Sequence, residues 1–511
     1  MRVVAGVLLA ATLAGCAAMP DTDGRGATAS DVTARGRDPV YADVHAELRA
    51  GIDGKVLDRD AAVRLALIGN PGLQEDYARL GFAAADVYEA ARPRNPALGL
   101  SVMASDEDGA AHQTGVGISL HLADLLLLGA KSRLAQAEYS RVRQTIAARA
   151  LDVAAEAESA WFAVVAARQS ITVREAIARA ASTSAGLAQR VFDAGNISRL
   201  DLALEKAAAA EASLALMNAR AGLVAARAAL NRVMGLGPED ERWRAPQSLP
   251  GLPEAEAPVD ELLSIADRSR LDLAAARDEV KSRAEALGLT RTFRLLGEID
   301  AGVSTERETD RSRITGPSIE LQLPLFDQGT GRMARAEAAL AQSEAALRAL
   351  EVDIGATVRA ESEHVAAARE RASHYREVLI PLREQIVGLM QQQVNFMLDD
   401  PARLILARKD EYEAYDGYLE AVRDYWLARA ALTRAVGAVL PGDGGDTAAP
   451  VSAARLIAPR DGGTPDHHGM NHAGMNHEGM NNEGMAHDAM PQPEAVAPGA
   501  DAQPHHHGEH R

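Results

Sequence analysis

The sequence predicts a mixed fold of transmembrane β-strands and very long α-helices, with one helix-strand-strand-helix-helix unit present twice. Three observations carry that reading. In residues 316–337, GPSIELQLPLFDQGTGRMARAE, Ile319, Leu321, Leu323 and Leu325 alternate with Glu320, Gln322 and Pro324. That is a strand with one apolar and one polar face. At Asp327-Gln328-Gly329 the period changes, and an Ala/Glu/Arg-rich helix begins at about Gly331. An earlier copy occupies residues 115–138, with Val116, Ile118, Leu120 and Leu122 on one face; Ile118 and Ile319 are 201 positions apart. The third observation is composition: 47% hydrophobic residues but only 4% aromatic ones, which favours long helices packed side by side over a bulky globular core.

The chain has 511 residues, more than one ordinary domain needs. Its formal net charge of −18 argues against nucleic acid as a partner. Residues 1–15 read as a secretory signal: Arg2, an apolar run from Val3 to Ala11, then Leu13-Ala14-Gly15 before Cys16. Those last four positions match a bacterial lipobox. Cys16 is the only cysteine, so no internal disulfide forms, and it is the expected lipid-attachment residue. Ala17 rather than Asp follows it, which by analogy with related lipoproteins directs the chain to the outer membrane. No other apolar run reaches the roughly 18 residues of a membrane-spanning helix.

Residues 16–56 are polar, Gly- and Asp-rich and without clear period, and are expected to form an extended lipidated arm. The first repeat spans residues 57–237. Its opening helix is broken in two by Asn70-Pro71-Gly72, and Arg92-Pro93-Arg94-Asn95-Pro96 ends the second part. Strands are expected over 97–105 and 114–122, with an exposed loop between them. A helix follows from about Ala130 to Arg190, on the order of 90 Å at about 1.5 Å per residue. After the turn Phe192-Asp193-Ala194-Gly195-Asn196, a return helix runs from about Ser198 to Met234 and stops at Gly235. Residues 238–258 hold five prolines and read as a linker.

The second repeat spans residues 259–440. Strands are expected over 296–305 and from Gly316 through Leu325, and helices over 331–393 and 401–436. Ala228-Ala229-Leu230-Asn231-Arg232 is answered by Ala430-Ala431-Leu432-Thr433-Arg434, 202 positions later. An offset that stays between 200 and 202 across the unit marks an internal duplication. Residues 441–511 form a Gly/Pro/Asp-rich tail expected to be disordered.

Two hairpins give four strands. An open sheet edge in lipid leaves backbone groups unsatisfied, and bacterial barrels begin at about eight strands. Several chains must therefore share one barrel.

The repeat, PLFDQGTGR at 324–332, RPRNPAL at 92–98 and ALIGNPGL at 66–73 resemble the TolC-type outer-membrane efflux family, and Cys16 is similar to its lipoprotein members. The likeness covers residues 57–440. It implies a homotrimer: a twelve-stranded barrel in the outer membrane, continued by an α-helical tunnel through the periplasm. It also implies a periplasmic adaptor and an inner-membrane pump as partners. The second hairpin turn, Met397-Leu398-Asp399-Asp400-Pro401, lacks the Ala-Gly pair found at Ala194-Gly195.

No nucleophile elbow, phosphate loop or zinc-protease helix is present, and no enzyme is expected. Glu156, Glu158, Glu361 and Glu363 read as solvated or tunnel-facing charges. Asp399 and Asp400 have two readings: caps for the helix that Pro401 opens, or an acidic ring at the tunnel entrance that attracts cations.

The tail holds the most specific chemical pattern. Met470, Met475, Met480, Met485 and Met490 recur every fifth residue, and His467, His472, His477 and His487 keep that spacing beside His468. His505, His506, His507 and His510 add a second cluster. Thioether sulfur suits Cu(I), and imidazole suits copper, zinc and nickel. The expected ligands are copper ions, with silver as a mimic, and no resident cofactor is required. The leading expectation is the exit duct of a tripartite exporter for copper or a related metal. The alternatives are a drug or type I protein-secretion channel, and a lipid-anchored periplasmic metal-sequestering protein without a pore.

Overall fold

The computed structural model describes residues 25–37, 45–104, 111–237, 240, 242–295, 297, 299–442 and 449–458. Cys16 and the tail residues 467–490 lie outside them.

Within the repeats the expected order is present. Helix α1 (Arg25–Thr33) and helix α2 (His45–Ile52) precede the first repeat. That repeat comprises α3 (Arg59–Gly69), α4 (Pro71–Ala90), β1 (Ala97–Met103), β2 (Gln113–His121), α5 (Leu122–Asp193) and α6 (Arg199–Met234). The second comprises α7 (Val259–Ser269), α8 (Leu271–Thr292), β3 (Ile299–Arg307), β4 (Arg313–Leu321), α9 (Thr330–His374), α10 (Ile380–Asn395) and α11 (Pro401–Val436). A single wide turn, Tyr375–Leu379, joins α9 to α10, and α12 (Ala453–Leu456) follows. Pro381 explains the wide turn: it lacks an N–H and its ring cannot sit against the carbonyl four residues back, so the ladder loosens there.

The helix ends show why the repeats fold alike. Asn70 ends α3 and caps α4 by accepting from the Leu73 N–H, and its amide donates to the Val233 carbonyl at 3.0 Å. Its counterpart Arg270 donates to the Ala435 carbonyl at 2.8 Å. In each repeat the kink is thus tied to the end of the return helix. Gly235 and Gly437 close those helices at φ 68° and 73°. A Cβ at Gly235 would lie 1.9 Å from the Gly69 carbonyl oxygen, so no other residue fits there.

The core lies where α3, α5, α7 and α11 meet. Phe162 stacks on Trp426 with ring centroids 5.1 Å apart, and Trp161 and Tyr425 meet the pair edge-on. All three tryptophans are buried and use the indole N–H to pin other segments down. Trp161 donates to the Leu57 carbonyl, Trp426 to the Pro250 carbonyl and Trp243 to the Asn231 side chain.

Several boundaries differ from the sequence reading. The arm is not wholly extended: α1 and α2 are helical, and Arg37 bonds Glu158 with two contacts of 2.8 and 2.7 Å. Glu158 is therefore a buried ion-pair partner, not a solvated charge, and Arg59 approaches it at 3.7 Å. Strand β4 spans Arg313–Leu321, so Leu323 and Leu325 lie beyond the ladder. The ladder ends there because its partner β3 begins at Ile299, opposite Leu321. Helix α5 starts at Leu122, directly after the strand. The proline-rich segment and residues 449–458 are packed: Leu249 and Val451 exchange backbone hydrogen bonds, although the second segment was expected in the tail.

A candidate channel wall and its two ends

The strands form one antiparallel sheet in the order β1-β2-β3-β4, with β1 and β4 as edges. Register fixes its two faces. Leu98 pairs with Ile118, Ile118 with Val303, and Leu100 with Val116; Leu120 pairs with Ala301, and Ala301 with Ile319. These residues share one face, and Leu98, Leu100, Val102, Val116, Ile118 and Ile319 are exposed on it. The opposite face carries Gly99, Ser101, Gly115, Gly117, Ser119, Gly302, Ser304, Gly316 and Ser318. Small residues are needed there: a Cβ on Gly302 would lie 2.7 Å from the Ile118 carbonyl oxygen and 3.0 Å from the Ser318 hydroxyl. An apolar face of this extent, on a sheet with two uncovered edges, suits lipid on one side and water on the other.

Where strands pass into helices the polar face ends in charge. His121 pairs across the strands with Asp300 through Nδ1. Asp124, one turn into α5, takes Lys131 at 2.6 Å and Arg94 at 3.1 Å. Sequence reasoning missed this cluster: His121 and Asp300 meet only through the strand register, and Arg94 reaches Asp124 from before β1, while Lys131 lies two turns along α5 from it.

Farther along the helices, buried polar groups are paired. Asp416 is buried, which pushes its carboxyl above the usual carboxylate range although Arg174 and Ser170 bond it at 2.5 and 3.2 Å. Tyr415 donates to Glu384 and Glu411; burial, and then those carboxylates, raise its phenol.

At the far helical hairpin the structure places both predicted acidic residues. Asp400 caps α11 by accepting from the Ala402 N–H at 2.9 Å. Asp399 accepts the Asp400 N–H and pairs with Arg403 at 3.0 Å. The cap reading thus has its geometry, while the ring reading concerns several copies together. Met397 replaces the missing glycine at φ 58°, where Gly195 of the first hairpin has φ 79°. Both turns close alike: Gly195 donates to Phe192 and Asn196 to Val191, while Met397 donates to Val394 and Leu398 to Gln393. Phe396, Met397 and Leu398 are exposed at this tip, where the first hairpin has Ala194, Gly195 and Asn196. Among the described residues no cluster of three His, Cys, Asp or Glu could hold a metal ion, and no helix is long and apolar enough to cross a membrane.

The chain thus carries the same helix-hairpin-helix unit twice, with both strand hairpins in one four-stranded sheet. Residues 62–236, most of the first repeat, match the family described as Outer membrane efflux protein. Its members are pores, not enzymes. The chain is 28% identical to Protein CyaE of Bordetella pertussis over 54% of its own length and 62% of that protein's. It is 29% identical to the cobalt-zinc-cadmium resistance protein CzcC of Cupriavidus metallidurans, over 41% of its own length and half of that protein's. The alignments thus span less than two thirds of either relative. Among solved structures, the Campylobacter jejuni CmeC outer membrane channel superposes with a TM-score of 0.63 at 13% identity, covering 76% of this chain and 87% of that one.

Proposed function

We propose that this chain is one protomer of a trimeric exit duct in the outer membrane, serving a tripartite exporter of transition-metal ions, copper foremost. The observation that carries the reading is the four-stranded sheet with an exposed apolar face and two unpaired edges, running directly into long helices. Three such sheets joined edge to edge give a closed twelve-stranded barrel, and closure is what lipid demands. The duct is passive, so an inner-membrane pump supplies the energy and a periplasmic adaptor joins the two. Cys16 carries the lipid that anchors the arm, and Asp399 and Asp400, repeated by each protomer, ring the tunnel entrance.

The tail supplies the metal preference. Met470, Met475, Met480, Met485 and Met490, interleaved with His467, His468, His472, His477 and His487, form a soft donor set on one polar segment. The name of CzcC supports metals as a class, and its cobalt, zinc and cadmium make an imidazole-dominated reading the competitor.

Two measurements test the whole. The purified full-length protein should be a trimer in detergent and conduct in planar bilayers; a monodisperse monomer without conductance overturns the duct. Replacing the five tail methionines with Leu should reduce Cu(I) binding and copper tolerance while leaving the trimer intact. Replacing only the tail histidines should affect Cu(II) or zinc more. If the methionine-free protein binds Cu(I) as the parent does, copper falls and the duct stands.

A further inference from the structure

A cavity of about 260 Å³ opens where the N-terminal arm crosses α5 at the joint between α7, α8 and the end of α11. Five arginines line it: Arg35, Arg37, Arg149, Arg270 and Arg434. Three of them have carboxylate partners. Arg37 is bound to Glu158, Arg270 to Asp272 and Arg434 to Asp152, the last at 2.7 Å. Arg35 is held differently. Its guanidinium donates to two backbone carbonyls, Ser269 at 2.6 Å and Asp31 at 2.7 Å, while the Asp31 carboxylate lies 3.3 Å from Arg143. Arg149 has no carboxylate partner among the described residues. Arg35 and Arg149 are thus the two guanidiniums of this concave site that make no ion pair among the described residues, in a chain whose net charge is −18.

Burial pushes the Arg35 guanidinium below its ordinary value, with only partial compensation from Asp31. A cation so placed gains from any anion that enters. Geometry helps it. The backbone N–H of Val439 donates to the Arg35 carbonyl and fixes the arm against the end of α11. Gly437, at φ 73°, lets the Arg270 side chain approach so closely that a Cβ there would meet its Cγ at 3.1 Å. Thr145 and Arg149, four residues apart on α5, share one helix face and are both exposed at the cavity, where the Thr145 hydroxyl donates to the Arg141 carbonyl.

We propose that this cavity is a binding site for a small tetrahedral dianion of the hydrogen-phosphate class. The two guanidiniums without an ion pair present planar forks that suit its oxygens, and the volume exceeds what one needs. Because Arg35, Arg149 and Arg270 come from the arm, the first repeat and the second, the bound anion staples three parts of the chain together.

The test uses the full-length trimer in detergent with inorganic phosphate as probe and chloride at matched ionic strength as control. Phosphate should raise the unfolding temperature progressively with concentration, and titration calorimetry should give a saturable site. Arg149→Gln should weaken phosphate binding about tenfold or more, without lowering the unfolding temperature in chloride, since Arg149 holds no other group. Arg149→Lys should restore part of the affinity. Equal unfolding temperatures in phosphate and chloride overturn the proposal. So does unchanged phosphate affinity in Arg149→Gln, which would assign the effect to another part of the surface.

Discussion

The ring of Tyr375 lies over the α-carbon of Gly417, so close that a Cβ on Gly417 would fall 2.7 Å from the ring and hydroxyl. Tyr375 opens the wide turn between α9 and α10, and Gly417 lies on the facing side of α11. The loosened turn that Pro381 imposes on one helix is thus accommodated by a missing side chain on its neighbour.

Gly417→Ala is therefore expected to destabilise the protein, although alanine is the better helix former. Overpacking of this kind costs about 1–3 kcal/mol, against the roughly 0.5–1 kcal/mol that Gly→Ala gains in a helix. Adding Tyr375→Leu should restore most of the loss. Thermal unfolding of both variants checks this, and a stabilised Gly417→Ala protein would show that the close approach is not limiting.

Met397 at φ 58° is the opposite case, a side chain where the backbone favours none. Left-handed backbone costs a non-glycine residue about 1–2 kcal/mol, part of which glycine's greater unfolded-state freedom offsets. Met397→Gly should stabilise the second hairpin by about 0.5–1 kcal/mol. Gly195→Ala in the first should cost about 1–2 kcal/mol. Hydrogen exchange at the two tips would report each change locally.

The two tip carboxylates should separate by experiment. Asp400→Asn keeps a capping side chain, so stability should move by no more than about 0.5 kcal/mol. Asp399→Asn loses the ion pair with Arg403, worth about 0.2–1 kcal/mol at an exposed site. If three copies ring an entrance, the double variant should also shift the reversal potential toward lower cation preference. An unchanged reversal potential leaves them as caps.

Acid should loosen the joint at Asp272. Burial alone would raise this carboxyl, but its hydrogen bond and charge contact with Arg270 outweigh burial and hold it below the usual 3.8. A carboxyl depressed in the folded state adds stability that is complete above about pH 4 and is lost as pH falls through its lower folded value. Asp272→Asn should cost about 1 kcal/mol at neutral pH, after screening at this partly exposed site. It should also flatten the stability curve below pH 4. Unfolding temperatures between pH 2.5 and 7 give both limbs, and an unchanged acid limb would exclude Asp272 as a contributor.

What the sequence made legible was local or periodic. Asn70-Pro71-Gly72, Gly235 and Pro401 mark helix ends by their own backbone chemistry, and the structure ends or starts helices at those places. The alternation through Ile118 and Ile319 gave the correct faces of β2 and β4. Strand ends were less legible, because β4 stops where its partner does, at Ile299 opposite Leu321. Glu158 was misread because the partner that neutralises it, Arg37, stands 121 positions earlier in a stretch without period. Helices α1 and α2 are short and depend on docking for stability, so their sequence carries little signal. At the tip, Asp400 before Pro401 announced its cap, whereas the left-handed turn at Met397 carried no glycine to announce it.

The two bare edges of the sheet constrain how such a protein reaches its membrane. A lone subunit that entered lipid would carry unpaired backbone groups along β1 and β4 into a medium without water. If the proposed trimer is the membrane form, insertion and assembly become a single concerted event, and each subunit waits in an aqueous compartment for the others. During that wait its exposed Leu98, Leu100 and Ile319 are open to any unpaired strand nearby. In such a trimer the number of complete barrels depends on how fast subunits meet, more than on the stability of any one chain.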